Sequence, residues 1–420
     1  MTDTKGQTTR RQFLQTATAA SGSLIFLGMG CSEGSEGSPD SGADGEHKTD
    51  TDPGLSTQEE TSLLFSKGNI GVLQLENRMV RAATGEALAL NGEPTDNYLN
   101  LYNALASGGV GMIISGMTAP VESDAIPFQL YAFEDAHIDR LKVVKETVAR
   151  ANPECKLIAQ IAHSGNSYIG ETRTGPSDIS WPGDSKPMRA LTVEEIAGVV
   201  EDFAQAARRY QEAGWDGVEV HGAHGYLLSS FLSTYTNNRT DQYGGSVENR
   251  LRIVREILER TRELVGADYP VLIKLNSSDS GDYVGADFRG GIDQELFRQN
   301  ATEIAKMGVD AIDVSGNNWV ENDLDEPEEQ SFFRDAAGSL DVDVPIILTG
   351  GNRSMDLLEN ILKSGDVDFI GLARPLIREP NLPSKWKNGE SKQAKCISCN
   401  MCLYNISGGL KCHQEPSQNA

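Results

Sequence analysis

His221, His224 and Tyr226 fall within the stretch "VHGAHGYLLSSFLS", directly after the apolar run "GWDGVEV". Histidine is scarce in this chain, with six copies in 420 residues. A loop that collects two imidazoles and a phenol has three physical uses. It can bury a hydrogen-bonded histidine pair as plain structure. It can ligate a metal, but zinc sites need three or four ligands, and "HGAH" lacks the glutamate of "HExxH". Or it can clamp a substrate oxygen. Imidazole N–H donors hold a carbonyl oxygen as charge develops on it, and one donor of this kind is typically worth ~10²–10³ in rate. A phenol beside them can deliver a proton.

Such a loop has to be held by elements on either side. From about Leu63 the chain repeats a short apolar run followed by a longer amphipathic stretch. The strand candidates are "RMVRAAT", "VGMIISG", "KLIAQIAH", "GVEVHG", "VLIKLNSSD", "AIDVSG", "PIILTGG" and "DFIGLARP". Near-continuous apolar runs suit parallel strands covered on both faces. Thr192–Gly214 reads as one helix, with Thr192 and Glu195 as a capping box and Gly214 as its stop. Eight such units in this length predict an α/β fold, a (β/α)₈ TIM barrel. A doubly wound open sheet is the rival, but no "GxGxxG" follows the first strand. A barrel places function at strand carboxyl ends. The polar residues there are Thr84, Gln160, His163, His221, Lys274, Ser315, Gly350–Gly351 and Arg374.

The ends of the chain read differently. Arg10 and Arg11 precede a short, mildly apolar stretch from about Ala17 to Gly30. That is the form of an export signal rather than a membrane span, which needs ~18 or more apolar residues. It resembles twin-arginine signals, which serve already folded proteins. Cys31 after "GMG" resembles a lipoprotein attachment site, although Leu27 stands one position early; lipid attachment and plain cleavage both stay open. Residues 32–62 hold nine acids against one lysine and read as a disordered, solvated tether. The expected organisation is a signal over 1–31, a linker over 32–62, the barrel over 63–390 and a cysteine-rich tail over 391–420. The expected location is the periplasm, either free or anchored through Cys31. A net charge of −24 argues against a nucleic-acid partner.

The stretch Glu219–Arg252, "EVHGAHGYLLSSFLSTYTNNRTDQYGGSVENRLR", resembles the old yellow enzyme family of FMN-dependent oxidoreductases. "NRMVRAAT", "AQIAHSG", "LTGGNRS" and "GLARPLIREP" recur in matching order, so the likeness runs from about Phe65 to Pro380. The resemblance implies FMN as cofactor. Ala82, Ala83 and Thr84 would line the flavin, and Gly116, after the second strand, would let the backbone approach its ring. Gln160 would bond the pyrimidine side. Lys274 would stand near flavin N1 and O2, and Gly350, Gly351 and Arg374 would hold the phosphate. His221 and His224 would bind the substrate oxygen while Tyr226 gives the proton. The implied reaction is hydride transfer from flavin N5 to an electron-poor alkene such as an α,β-unsaturated carbonyl. A dehydrogenase or demethylase running oxidatively is the alternative within the class. A flavoprotein that only binds or transfers electrons, and a metal-dependent barrel hydrolase, are alternatives outside it. Two departures bear on the substrate: Ala83–Thr84–Gly85 replaces the family's usual Pro-Met and Cys or Thr, and Asn166 replaces an arginine.

Cys396, Cys399, Cys402 and Cys412 form C-x2-C-x2-C-x9-C. The tight triplet with one distant thiol is iron–sulfur spacing. It resembles the [4Fe–4S] segment of larger family members such as trimethylamine dehydrogenase and 2,4-dienoyl-CoA reductase. Zinc, disulfides and free thiols remain alternatives. Cys155 reads as a buried small hydrophobe. Relatives in the cytosol are recharged by NADH or NADPH, which an exported enzyme would not meet. The electron partner is therefore expected to be either NAD(P)H or a redox protein. Oligomerisation is left open.

Overall fold

A computed structural model describes residues 62–165, 173–180, 187–279, 291–316, 329–404 and 406–414, with the strand pair Asp282–Tyr283 and Ala286–Asp287. The signal, Cys31, nearly all of the linker and Asn166 lie outside these residues. Ser62, placed in the linker by composition, is anchored: its hydroxyl donates to Glu359 at 2.7 Å, and the Leu63 N–H donates to the same carboxylate at 2.7 Å.

The expected barrel is present. Its strands are β1 (Met79–Arg81), β2 (Met112–Thr118), β3 (Lys156–Ile161), β4 (Gly217–Gly222), β5 (Val271–Asn276), β6 (Ala311–Ser315), β7 (Ile346–Thr349) and β8 (Phe369–Leu372). Each pairs in parallel with its neighbours in chain order, and β8 closes on β1 through Leu372 opposite Arg81. Every predicted strand falls at its apolar run: β4 matches it, β2 starts two residues late and runs on to Thr118, and the others are shortened at one or both ends.

Helices α1 (Asp96–Ser107), α2 (Ile138–Ala151), α3 (Val193–Glu212), α4 (Arg252–Val265), α5 (Gln294–Ala305) and α6 (Met355–Ser364) cover the outside. In α3 the apolar face is Ile196, Val199, Phe203, Ala207 and Tyr210, at helical spacing and buried. Each large side chain so buried contributes about 1.5–3 kcal/mol. The Thr192–Glu195 capping box forms as expected, and Gly214 adopts φ +81° just past the helix.

Side chains along a strand alternate between the two sides of the barrel wall. The inward set is layered. An apolar plug of Val80, Met112, Ile114, Ile158, Leu272, Ala311, Ile347 and Phe369 fills the amino-terminal half, sealed by Ile70 and Leu75. Two residues further along several of these strands the inward positions turn polar: Gln160, Glu219, Lys274, Asp313 and Thr349, all buried. One step further come His221, Asn276 and Ser315, at the carboxyl ends.

Candidate active site at the carboxyl end of the barrel

The histidine loop leaves β4 at Gly222. The His221 and His224 rings lie 5.1 Å apart between centroids, and the His221 and Tyr226 rings 4.9 Å apart. His221 is buried, and its Nδ1 has no partner among the described residues. Burial first, then His224 and Lys274, holds its pKa well below the ordinary value, so the ring is neutral and carries one N–H. His224 adopts φ +61°, a left-handed conformation that costs a non-glycine residue about 1–3 kcal/mol. Two contacts hold it there. Its backbone N–H donates to Asn276 Oδ1 at 3.0 Å, and its Nε2 lies 2.9 Å from Ser315 Oγ. Asn276 is itself fixed, donating to Asp279 Oδ1 at 3.0 Å. Tyr226 precedes the short helix Leu227–Leu232, whose first N–H donates to the His163 carbonyl at 3.1 Å. Ser315 was legible as a strand-end polar residue. Asn276 and Asp279 were missed, since a side chain that supports a neighbouring loop leaves no local pattern.

Below this loop lies a charged layer. Gln160 Nε2 donates to Glu219 Oε1 at 2.7 Å. Lys274 Nζ bonds Asp313 Oδ2 and stands 3.7 Å from Glu219 Oε1. The lysine expected near the flavin is therefore paired from two sides. Burial opposes its charge, but Asp313 and Glu219 outweigh that and raise its pKa. Glu219 is pushed up to about 8, first by burial. Neither acid was among the sequence candidates, although each stands in the middle of an apolar run at the same parity as His221 or Ser315.

The loop after β1 is built around another buried acid. Glu86 Oε1 accepts from Arg81 Nη2 at 2.8 Å, from the Tyr102 hydroxyl at 2.8 Å and from the Gly116 N–H at 2.9 Å. Arg81 Nη2 also donates to the Thr84 carbonyl at 3.1 Å. Ala82 is buried with its N–H on the Leu372 carbonyl at 3.1 Å, and Ala83 is half-buried at the barrel wall. The expectation for Gly116 needs a correction. It lies inside β2, at the irregularity between Ile114 and Met117, rather than after the strand. A Cβ there would stand 2.0 Å from Glu86 Oε2 and 2.7 Å from the Thr84 carbonyl. The close approach that requires glycine comes from this chain's own Glu86.

Gly350 and Gly351 follow β7 with φ +136° and +70°. A Cβ on either would stand 2.7 or 2.8 Å from Phe333 or Phe332. Beside them Thr349 Oγ1 is buried without a partner among the described residues. Arg374 begins the short helix after β8, and its Nη1 donates to Asn400 Oδ1 at 2.6 Å and Ser398 O at 3.3 Å. One face of this guanidinium is thus turned to the cysteine tail. The tail runs back to the loop after β1, where the Leu410 N–H donates to the Glu86 carbonyl at 2.8 Å.

Cys396, Cys399, Cys402 and Cys412 line one cavity of about 20 Å³ together with Arg374 and His413. All four are free thiols, as is Cys155, whose burial pushes it up to about 12. Among the described residues no three such side chains converge at metal-holding spacing. The tail thus gathers its thiols without presenting a formed metal site. The barrel mouth does fit a flavin. At one end of the barrel it offers a glycine pair with positive φ, a threonine hydroxyl and an imidazole nitrogen without partners among the described residues, and a buried layer with one lysine and two acids.

Residues 63–393 match the pattern of the NADH:flavin oxidoreductase / NADH oxidase family. The chain belongs to this family. Flavin oxidoreductase, the class expected from the motifs, is the class of its members. The chain is 33% identical over 360 residues to a metal reductase of Desulforamulus reducens, covering 82% of this chain and 52% of that one. It therefore spans about half the length of that relative. Among solved structures it resembles 2-naphthoyl-CoA reductase in complex with 2-naphthoyl-CoA, with a TM-score of 0.72 at 28% identity, covering 81% of this chain and 54% of that one. It also resembles morphinone reductase in complex with tetrahydroNAD, with a TM-score of 0.65 at 26% identity, covering 80% and 93%.

Proposed function

We propose that this chain is an FMN-dependent reductase of electron-poor alkenes. The observation that carries the reading is the convergence of His221, His224 and Tyr226 at the carboxyl end of a closed barrel. Bound FMN would supply the hydride from N5. Ala82–Thr84, Gln160 and Lys274 would hold its ring, and Gly350, Gly351 and Arg374 its phosphate. His221, neutral and buried, offers its single N–H to the substrate oxygen. His224, locked by Asn276 and Ser315, offers the second contact. Tyr226 delivers the proton to the substrate carbon, because a phenol keeps its proton until a stronger base develops beside it.

The same proposal includes export by the twin-arginine segment, with Cys31 as a lipid anchor and a redox protein rather than NAD(P)H as electron partner. An iron–sulfur cluster in the tail would serve that exchange. Its support is the gathering of four cysteines on one cavity, and iron with acid-labile sulfide in the purified protein would decide it. The cysteines also favour a second reading, a dehydrogenase whose electrons leave through the tail.

The test is purification from a flavin-sufficient host, followed by assay of an α,β-unsaturated ketone with dithionite-reduced protein. A yellow protein whose alkene reduction falls by ~10²–10⁴ in Tyr226→Phe, with flavin content unchanged, supports the reading. Colourless folded protein that takes up no FMN overturns it.

A further inference from the structure

Two carboxylates and one ammonium meet in the buried layer beneath the histidine loop. Glu219 on β4 and Asp313 on β6 are wholly buried, and Lys274 on the intervening β5 is almost so. Lys274 Nζ bonds Asp313 Oδ2 and stands 3.7 Å from Glu219 Oε1, the oxygen that also accepts from Gln160. The two remaining oxygens, Glu219 Oε2 and Asp313 Oδ1, have no donor among the described residues. Both carboxyl groups flank the one Lys274 ammonium, and burial together with the Asp313 carboxylate pushes Glu219 up. Ionised carboxylates only accept, so a bond between them requires a proton on one.

The charge balance points the same way. One ammonium neutralises one carboxylate, and a second buried carboxylate needs either another cation or a proton. Among the described residues the groups facing Glu219 are Gln160 on β3, Lys274 on β5 and Asp313 on β6, with His221 two residues along its own strand. His221 is held neutral, and Arg81 is bound to Glu86, so neither supplies the missing charge.

We propose that Glu219 and Asp313 share a single proton, carried on Glu219 Oε2 and donated to Asp313, which keeps the Glu219–Lys274–Asp313 group electrically neutral. Resting on the flavin reading above, a second consequence follows. Once Glu219 has lost this proton at high pH, negative charge added over the layer on flavin reduction draws one proton back from solvent.

The first consequence needs no flavin and is tested without it. Infrared spectra of the full chain should show a protonated carboxyl band at pH 6 that shifts in deuterium oxide. The band should bleach as pH rises through about 8 and be missing in Glu219→Gln. Its absence from the wild type at pH 6, or its persistence in Glu219→Gln, overturns the proposal. Should Glu219→Gln fail to fold, wild type labelled with ¹³C-glutamate carries the test. The band moves with the label if the proton is on Glu219, and a band that stays overturns the assignment. In FMN-loaded protein the reduction potential should gain one proton per two electrons above about pH 8. That is tenfold per pH unit, about 30 mV, and the break should vanish in Glu219→Gln. A carboxyl band in protein that binds no flavin leaves the shared proton standing and removes only the functional reading.

Discussion

Glu86→Ala removes the acceptor on which three donors end, those of Arg81 at 2.8 Å, Tyr102 at 2.8 Å and Gly116 at 2.9 Å. The Arg81 and Glu86 side chains are only 3% and 6% exposed, so water cannot replace the lost carboxylate. Breaking a buried pair by removing one partner costs about 3–5 kcal/mol, because the other charge is left uncompensated. With a denaturant slope of about 3 kcal/mol per molar for a large domain, the urea midpoint should fall by about 1 M or somewhat more. Glu86→Gln keeps an oxygen in place but loses the charge, and should cost about 1.5–3 kcal/mol. Arg81→Met with Glu86→Leu removes both charges and should recover the part of the loss due to the uncompensated charge. What remains are two donors without an acceptor, the Gly116 N–H and the Tyr102 hydroxyl, about 1–3 kcal/mol each. The assay is urea unfolding of wild type, each single variant and the double variant, read as a cycle. FMN affinity is measured alongside, since Arg81 also holds the Thr84 carbonyl. Glu86→Ala within about 1 kcal/mol of wild type, or a double variant as unstable as the sum of the singles, would refute the reasoning.

Asn276→Ala takes the acceptor from the His224 N–H, and the strained left-handed loop should relax. Turnover of an unsaturated ketone should drop by about 10² while FMN content holds, measured by steady-state kinetics and absorbance. Gly116→Ala should displace the Glu86 carboxylate and cost about 1–3 kcal/mol, read by the same urea titrations. Stability should also depend on pH through Glu219, whose folded pKa is raised to about 8. Between about pH 4.3, the ordinary glutamate value, and that point the folded chain binds a proton that the unfolded chain has released. Stability therefore declines with rising pH by up to ~1.4 kcal/mol per unit and levels off above. Unfolding midpoints from pH 5 to 9 should show this fall in wild type and a flatter profile in Glu219→Gln.

Much of this molecule was readable along the chain because the relevant physics is local. Each barrel strand is an apolar run, since a strand covered on both faces must bury every side chain. α3 announces itself by helical spacing and by the Thr192–Glu195 cap, features a few residues long. His221, His224 and Tyr226 lie on one loop, so their nearness follows from covalent connection. Gly116 shows where that kind of reading ends. Its identity was legible, but the carboxylate that forbids a side chain there arrives from the loop after another strand.

The charged layer could not be read the same way. Glu219, Lys274 and Asp313 come from three strands: pairing sets Lys274 opposite Asp313 on β6 and opposite His221 on β4, two residues past Glu219, and the long lysine side chain reaches both acids. Ser315 on β6 reaches His224 past the intervening β5, and Arg374 meets Asn400 only because the tail folds back onto the helix after β8. Periodicity along a chain says which side of a wall a residue faces. Which partners it finds there depends on strand register and barrel closure, and with that meeting come the burial and charge balance that decide whether an acid keeps its proton.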